Sequence, residues 1–397
     1  TPKGASPLLL INTTNTTISK TLFLDTRAHS GGAISISASE LPDDSAHKVV
    51  IEESVFESCS STGDGGALHI TNFPDTTLSG VKFRNNSSFG KGGAIAFRCP
   101  DNSCALQIKQ SDSDEANSEL TGNLAREAGG AVHWLHQEPS ITPSEVTFNN
   151  NDAYYGRDIA SISETLVYIE ESEAKNAISG ENLSTTLGGA TNSTSKDLLQ
   201  SRFKEFKSGS SVGTKLYFAL SDKYGQVVRT DFRSSATVTS ISSEIQEGTV
   251  STKIQNHERI TNYGLFDFQG LEITTEPKST LTLQVISKAP ISDDSQQSDP
   301  QLNWQVKVRE CKRGEIKSET GACYECGEDD FIVSDNKLDE LPIFLPYSLD
   351  VNDNRCKECP QNAYCWGGSR IGPQKNYWRT GGDSDEMLAC FNDEACL

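Results

Sequence analysis

The residue types that could do chemistry in this chain are cysteines, a few clustered carboxylates and two histidines, and their spacing decides how far each can go. Eight of the 11 cysteines lie between Cys311 and Cys396. That density reads as a disulfide framework in an oxidising compartment. Two CxxC pairs, Cys323/Cys326 and Cys356/Cys359, admit a zinc ribbon as the competing reading. Short-range closure pairs Cys311 with Cys323, Cys326 with Cys356, Cys359 with Cys365 and Cys390 with Cys396, and Cys99 with Cys104 around a short loop. Cys59 is left over as a buried free thiol. Asp112, Asp114 and Glu115 form an acidic run without a basic partner in phase, so they read as a solvated loop rather than a catalytic carboxylate set. His133 and His136 stand three apart on an expected strand, which places them on opposite faces and makes them poor joint metal ligands. Trp134 between them is core or a sugar platform. No Ser/His/Asp or Cys/His frame and no phosphate loop is recognisable, so no catalytic, cofactor or metal residue is assigned and the chain reads as non-enzymatic.

What must position these residues is a repeat. Gly-Gly-Ala recurs at Gly31, Gly65, Gly92 and Gly129, each followed by a β-branched residue or leucine. A large apolar residue stands eight or nine positions upstream: Phe23, Phe56, Phe83 and Leu120, with a fifth copy at Phe148 running into Tyr155-Gly156-Arg157. Three residues after each apolar position come Thr26, Cys59, Asn86, Asn123 and Asn151. Copies spaced 33, 27, 37 and 28 residues apart are coil-sized. The pattern predicts five coils of a right-handed parallel β-helix over 20–169. The apolar row stacks inward, Gly-Gly takes a positive-φ corner and the asparagines form a ladder. Glycine-rich turns of an ordinary β-sandwich are the competing reading.

These residues resemble the paired FxxN and GGAI repeats of the chlamydial polymorphic outer-membrane proteins, and related repeats of large protist surface proteins. The resemblance implies a cell-surface passenger or adhesin-like β-helix and no catalysis.

Around this core the chain divides by composition. Residues 1–19 hold Leu8, Leu9, Leu10 and Ile11, an apolar run that reads either as the cap of its own solenoid or as a strand donated to a neighbouring copy. Residues 170–207 read as a Ser/Thr/Gly-rich glycosylated connection, with a short helix or edge strand at 198–206. Residues 208–310 show several short strand patterns, which predict a β-sandwich. Within it, Leu220-Ser-Asp222-Lys-Tyr224-Gly225-Gln226-Val-Val228 resembles immunoglobulin-like repeats of filamin and invasin type. Residues 311–397 form the cysteine-rich part. Its Cys356-Lys-Glu-Cys359-Pro, Tyr364-Cys365-Trp366-Gly-Gly and Asn376-Tyr-Trp-Arg379 motifs resemble the cysteine-rich segment that precedes the transmembrane helices of large ciliate surface proteins. That resemblance implies a membrane-tethered precursor of which this piece is the ectodomain.

Charge narrows the partners. Thirty-five basic against 55 acidic residues leave a formal charge of −20, which disfavours nucleic acid and anionic lipid surfaces. Sequons at Asn12, Asn15, Asn85, Asn86, Asn182 and Asn192 fit a secretory route and N-linked glycans, with one glycan expected on either Asn85 or Asn86. The expectation is an all-β, extracellular, structural glycoprotein without cofactors. It would self-associate head to tail through Leu8–Ile11 and touch a membrane only through a precursor segment absent here. An adhesin or receptor ectodomain is the alternative, and a β-helix polysaccharide lyase or hydrolase the remote one.

Overall fold

The computed structural model describes residues 7–38, 47–100, 103–113, 116–179, 192–212, 215–244, 251–288, 299–327, 344–351, 353 and 355–391. It is nearly all β, and its N-terminal part is a β-solenoid of about five turns. Four parallel sheets make its walls. The first wall holds Leu8–Ile11, Ile34–Ser37, Leu68–Thr71, Ile95–Arg98, Val132–Leu135 and Ile159–Ala160. The second runs from Thr16–Ser19 through Lys48–Glu52, Asp75–Ser79 and Ala105–Lys109 to Ser140–Ile141. The third stacks Leu22–Leu24, Val55–Glu57, Lys82–Arg84, Ser118–Thr121 and Val146–Asn149, and the short fourth begins at Arg27–Ala28 and ends at Asp152–Tyr155.

The register follows the repeat. Phe23, Phe56, Phe83, Leu120 and Phe148 are cross-strand partners in that order. The rings of Phe23, Phe56 and Phe83 stack at 4.8 and 4.6 Å with planes 7° apart. A parallel ladder repeats about every 4.8 Å, so identical residues in register are forced face to face. The solenoid starts earlier than the glycine pattern implied, because Leu8–Ile11 pairs in parallel with Ile34–Ser37.

Corners explain the glycines. The first glycine of each pair has φ between 61° and 68°. The second has no room for a side chain: a Cβ on Gly93 would lie 2.0 Å from the carbonyl oxygen of Gly130, and one on Gly130 would lie 2.1 Å from that of Arg157. Arg157 occupies the second-glycine place in the last coil, where no further coil stacks, and the need for glycine lapses.

Beyond the solenoid the chain makes antiparallel sheets. Ser163–Ile169 leaves the last coil and pairs with Tyr217–Asp222, which pairs on its other side with Leu265–Asp267. A second sheet orders Glu258–Ile260, Ser235–Glu244, Thr280–Lys288 and Gln301–Lys307, and a third joins Ser210–Ser211, Glu272–Thr274 and Lys253–Gln255. Leu166, Phe218, Phe266, Phe268, Leu283 and Trp304 lie in one core between them. All six residues of Tyr217–Asp222 are buried. Phe218 and Leu220 face that core, while Tyr217 and Ala219 meet Ala174 and Ala177 on the opposite side.

The 170–207 connection holds more helix than the short helix or edge strand expected at 198–206. Glu171–Ser179 and Asn192–Arg202 are helices, and Leu199 and Phe203 are buried in the core between the antiparallel sheets. Composition hid the first of them, whose buried face is only Ala174 and Ala177.

The C-terminal part is three two-stranded ribbons, Glu315–Lys317 with Cys323–Glu325, Ala363–Cys365 with Ile371–Pro373, and Tyr377–Arg379 with Met387–Ala389. A bidentate Arg309–Glu315 pair, 2.7 Å at each oxygen, ties the first ribbon to the end of the sandwich.

Candidate functional site

Three places collect the residues that sequence reasoning singled out: the ladder inside the solenoid, the seam where its last coil meets the sandwich, and its open first coil.

The ladder is built from the residue three after each apolar position. Asn86, Asn123 and Asn151 are buried. Asn123 Oδ1 accepts from the backbone N–H of Asn86 at 3.1 Å and from Asn86 Nδ2 at 2.9 Å, and Asn151 Oδ1 serves Asn123 in the same way at 3.0 Å. The other amide hydrogens go to carbonyl oxygens of Phe56, Phe83 and Leu120. Asn151 closes the row on Asp158 Oδ1 at 2.9 Å. Cys59 takes the place above Asn86 as a buried free thiol whose pKa burial pushes up, so it is inert as a nucleophile.

The seam is polar at its centre. Asp222 is buried and accepts four N–H donors: Tyr224 and Gln226 backbone on Oδ1, Ser161 backbone and Gln226 Nε2 on Oδ2, at 2.8–3.2 Å. Burial nonetheless raises its pKa, to about 6, against those donors. Gln226 Nε2 also donates to the carbonyl of Ile159 in the last coil, and Tyr155 Oη donates to that of Ser161. Trp134 is inward-facing core: 2% exposed, it donates from Nε1 to Tyr224 Oη at 2.9 Å across the seam. Tyr224 Oη in turn donates to Glu138, which also pairs with Lys223 at 3.5 Å. On the rim, buried Arg229 lies over the ring of Tyr154 at 4.4 Å, with Tyr263 and Phe232 beside it. The Leu-x-Asp-x-Tyr-Gly-Gln stretch is thus the strap that fastens the antiparallel sheets to the solenoid. The stretch was visible in the sequence as a motif, but the partners of its aspartate in the last coil were not.

The candidate chemical groups do not converge. His133 is buried on the outer side of the first wall, with Nε2 unbonded and its pKa held well below the usual imidazole range by burial, Lys91 adding to it. His136 lies past the end of that strand at φ 73°. Asp112 pairs with Lys109 at 2.7 Å; Asp114 and Glu115 lie outside the described residues. Cys311, Glu315 and Cys323 approach one another as metal ligands would, but a disulfide joins the two cysteines, which removes both thiolates. Further disulfides join Cys99 to Cys104, Cys326 to Cys356 and Cys359 to Cys365, so each CxxC cysteine is bonded outside its own motif. Cys390 is disulfide-bonded; Cys396 lies outside the described residues.

The sequons separate sharply. Asn85 is exposed at φ 53° while Asn86 is wholly buried in the ladder. Asn12 and Asn15 are exposed between the first two strands. Asn192 opens the second helix and Asn182 lies outside the described residues.

The open end carries Leu8–Ile11, which pairs within its own chain as the edge strand of the first wall. Leu9 and Ile11 point outward, 52% and 53% exposed, and Leu10 is buried.

No family model matches the chain, nor does any curated protein or solved structure.

Proposed function

We propose that the chain is a non-enzymatic structural glycoprotein of a protist cell surface, a stiff rod that holds a sandwich and a cross-linked tail at fixed geometry. The observation that carries this reading is the seam. Asp222, Gln226 and Tyr224 join the last coil to the sandwich by buried hydrogen bonds, and Ala128, Tyr155 and Ala160 of the solenoid lie in the sandwich core. Such a joint transmits load instead of hinging. Stacked phenylalanine rings and the buried asparagine ladder fill inner rows of the solenoid among the described residues. The disulfides point to an oxidising compartment, and no helix among the described residues is long and apolar enough to cross a membrane. The resemblance to chlamydial and ciliate surface proteins supports the same assignment and a tethered precursor.

Immunogold electron microscopy of the source cells, with single-molecule stretching of the purified chain, tests this. Surface labelling and one high-force unfolding event for solenoid plus sandwich are expected. Cytoplasmic labelling, or cleavage of an acidic polysaccharide by the purified chain, sinks it.

One observation favours a second reading, an adhesin. Tyr154 and Phe232 expose 38% and 49% of their surface around Tyr263 and Arg229, an aromatic rim of the kind that stacks on sugar rings. Glycan-array binding lost in Tyr154→Ala would establish it over the rod.

A further inference from the structure

The inward rows of the solenoid are sealed one coil in and open at the first coil. Ile34, Ile51 and Phe56 are fully buried, whereas their register partners Leu8, Ile18 and Phe23 are only half-buried. On the outside, Leu9 and Ile11 are exposed on the first wall, and Leu22 and Leu24 on the third. Leu8–Ile11, Thr16–Ser19, Leu22–Leu24 and Arg27–Ala28 each end their sheet, so no described strand pairs with them on that side. Protein edges are normally blunted by charge, proline or a bulge. Within these four strands Arg27 is the only charged residue, in a chain of net charge −20.

We propose that this end is the docking surface for a second copy of the chain, met edge to edge across a twofold axis. A like edge fits because it is equally uncharged and equally apolar, and so brings no unmatched charge to the contact. The far end is not available to receive it. There Tyr224 packs against the solenoid core and the antiparallel sheets cover Tyr155 and Ala160, while among the described inward residues of the last coil Ile141, Phe148 and Ile159 stay half-open. A whole coil cannot stack where the sandwich already sits, so the head-to-tail contact gives way to a head-to-head one.

Register follows from the pleat. Antiparallel pairing of Leu8–Ile11 with its copy, Leu9 opposite Leu9, sets Leu8 against Leu10 and keeps inward side chains inward on both molecules. A slip of one residue would turn Leu10 to solvent. On the opposite wall Phe23 would meet Phe23 and continue the ring stack of Phe56 and Phe83. The contact uses the same patch twice and therefore closes as a dimer instead of growing as a filament. A contact limited to one coil's end belongs with the smaller specific interfaces, whose affinity is set by the quality of packing and not by area. The inference deepens the structural reading above by naming the rod's partner.

Sedimentation equilibrium of the full glycosylated chain across the micromolar range tests it. A reversible monomer–dimer equilibrium without larger species is expected. Leu9→Lys, which sets two ammonium groups against each other, weakens it by at least about tenfold, while Leu124→Lys, exposed on the outside of the fourth coil, leaves it unchanged. Leu9→Cys oxidises to a covalent dimer and Lys20→Cys does not. Thermal unfolding of each variant confirms the fold. A monomer at every concentration, a dimer indifferent to Leu9→Lys, filaments, or no cross-link at position 9 each overturn the proposal. A monomer leaves the rod reading intact, and polysaccharide cleavage would sink the rod reading without touching the dimer.

Discussion

Asn86 donates its side-chain amide to Asn123 Oδ1 at 2.9 Å, and its backbone N–H converges on the same oxygen at 3.1 Å. One buried oxygen thus satisfies two donors of the coil above. Asn123→Ala strands both and also frees the carbonyl of Phe83. Orphaned buried donors cost about 1–3 kcal/mol each, so a loss of about 2–5 kcal/mol is expected in denaturant unfolding. Asn123→Asp should not rescue, because it aims an oxygen at Asn151 Oδ1.

Gly93→Ala should be comparably damaging for a different reason. The added methyl would sit 2.0 Å from a backbone carbonyl that cannot move without shifting the next coil. Arg157→Ala, at the same place in the last coil, should change thermal stability by no more than about 0.5 kcal/mol. Equal effects at the two positions would refute the stacking account of the second glycine.

How much of this was legible beforehand depends on the element. The spacing of Phe56, Phe83, Cys59, Asn86 and the glycines specifies the coil because a parallel ladder repeats the same demand at the same place in every turn. Leu8–Ile11 was visible as apolar, yet nothing local distinguishes a strand kept from a strand donated. The helix at Glu171–Ser179 escaped, and only the end of Asn192–Arg202 was anticipated, because their stability comes from Ala174, Ala177, Leu199 and the adjoining Phe203 docking on distant strands. The seam escaped for the same reason: Ser161 and Asp222 are 61 residues apart.

Thr76 points into the solenoid between Val49 and Leu106, and its hydroxyl has no partner. Thr76→Val keeps the shape and removes the orphan. It should raise stability by about 1 kcal/mol, measured as a higher denaturant midpoint at unchanged slope.

Two buried groups should give the pH dependence opposite signs. His133 titrates lower in the folded chain than in the unfolded one, so the unfolded chain takes up its proton first. Stability is lost as pH falls below about 6.5. Asp222, raised to about 6, keeps a proton in the fold that the unfolded chain has released. Its contribution therefore grows as pH falls from 6 toward the ordinary carboxylate range, and is lost as pH rises through that window. Unfolding free energies across this window should show a shallow net slope in the parent and a steeper acid loss in Asp222→Asn. His133→Gln should show the reverse. Parallel curves for all three proteins would refute these assignments.

Glycopeptide mass spectrometry of the chain expressed through a secretory route should find a glycan on Asn85 and none on Asn86, whose amide is committed to Phe56 and Asn123. In Asn85→Gln, secreted molecules should remain bare at Asn86. A glycan on Asn86 in natively folded protein would contradict the ladder.

Arg157 at the final second-glycine place has a bearing on how such a chain changes length. Every internal coil presents the same faces above and below, so a duplicated or deleted segment such as 83–119 rejoins neighbours that already fit it. Reach is then adjustable in steps of about 4.8 Å while the first edge and the sandwich strap stay unaltered. The arginine is the stop mark of that ruler: copies can be inserted anywhere before it, and none can follow.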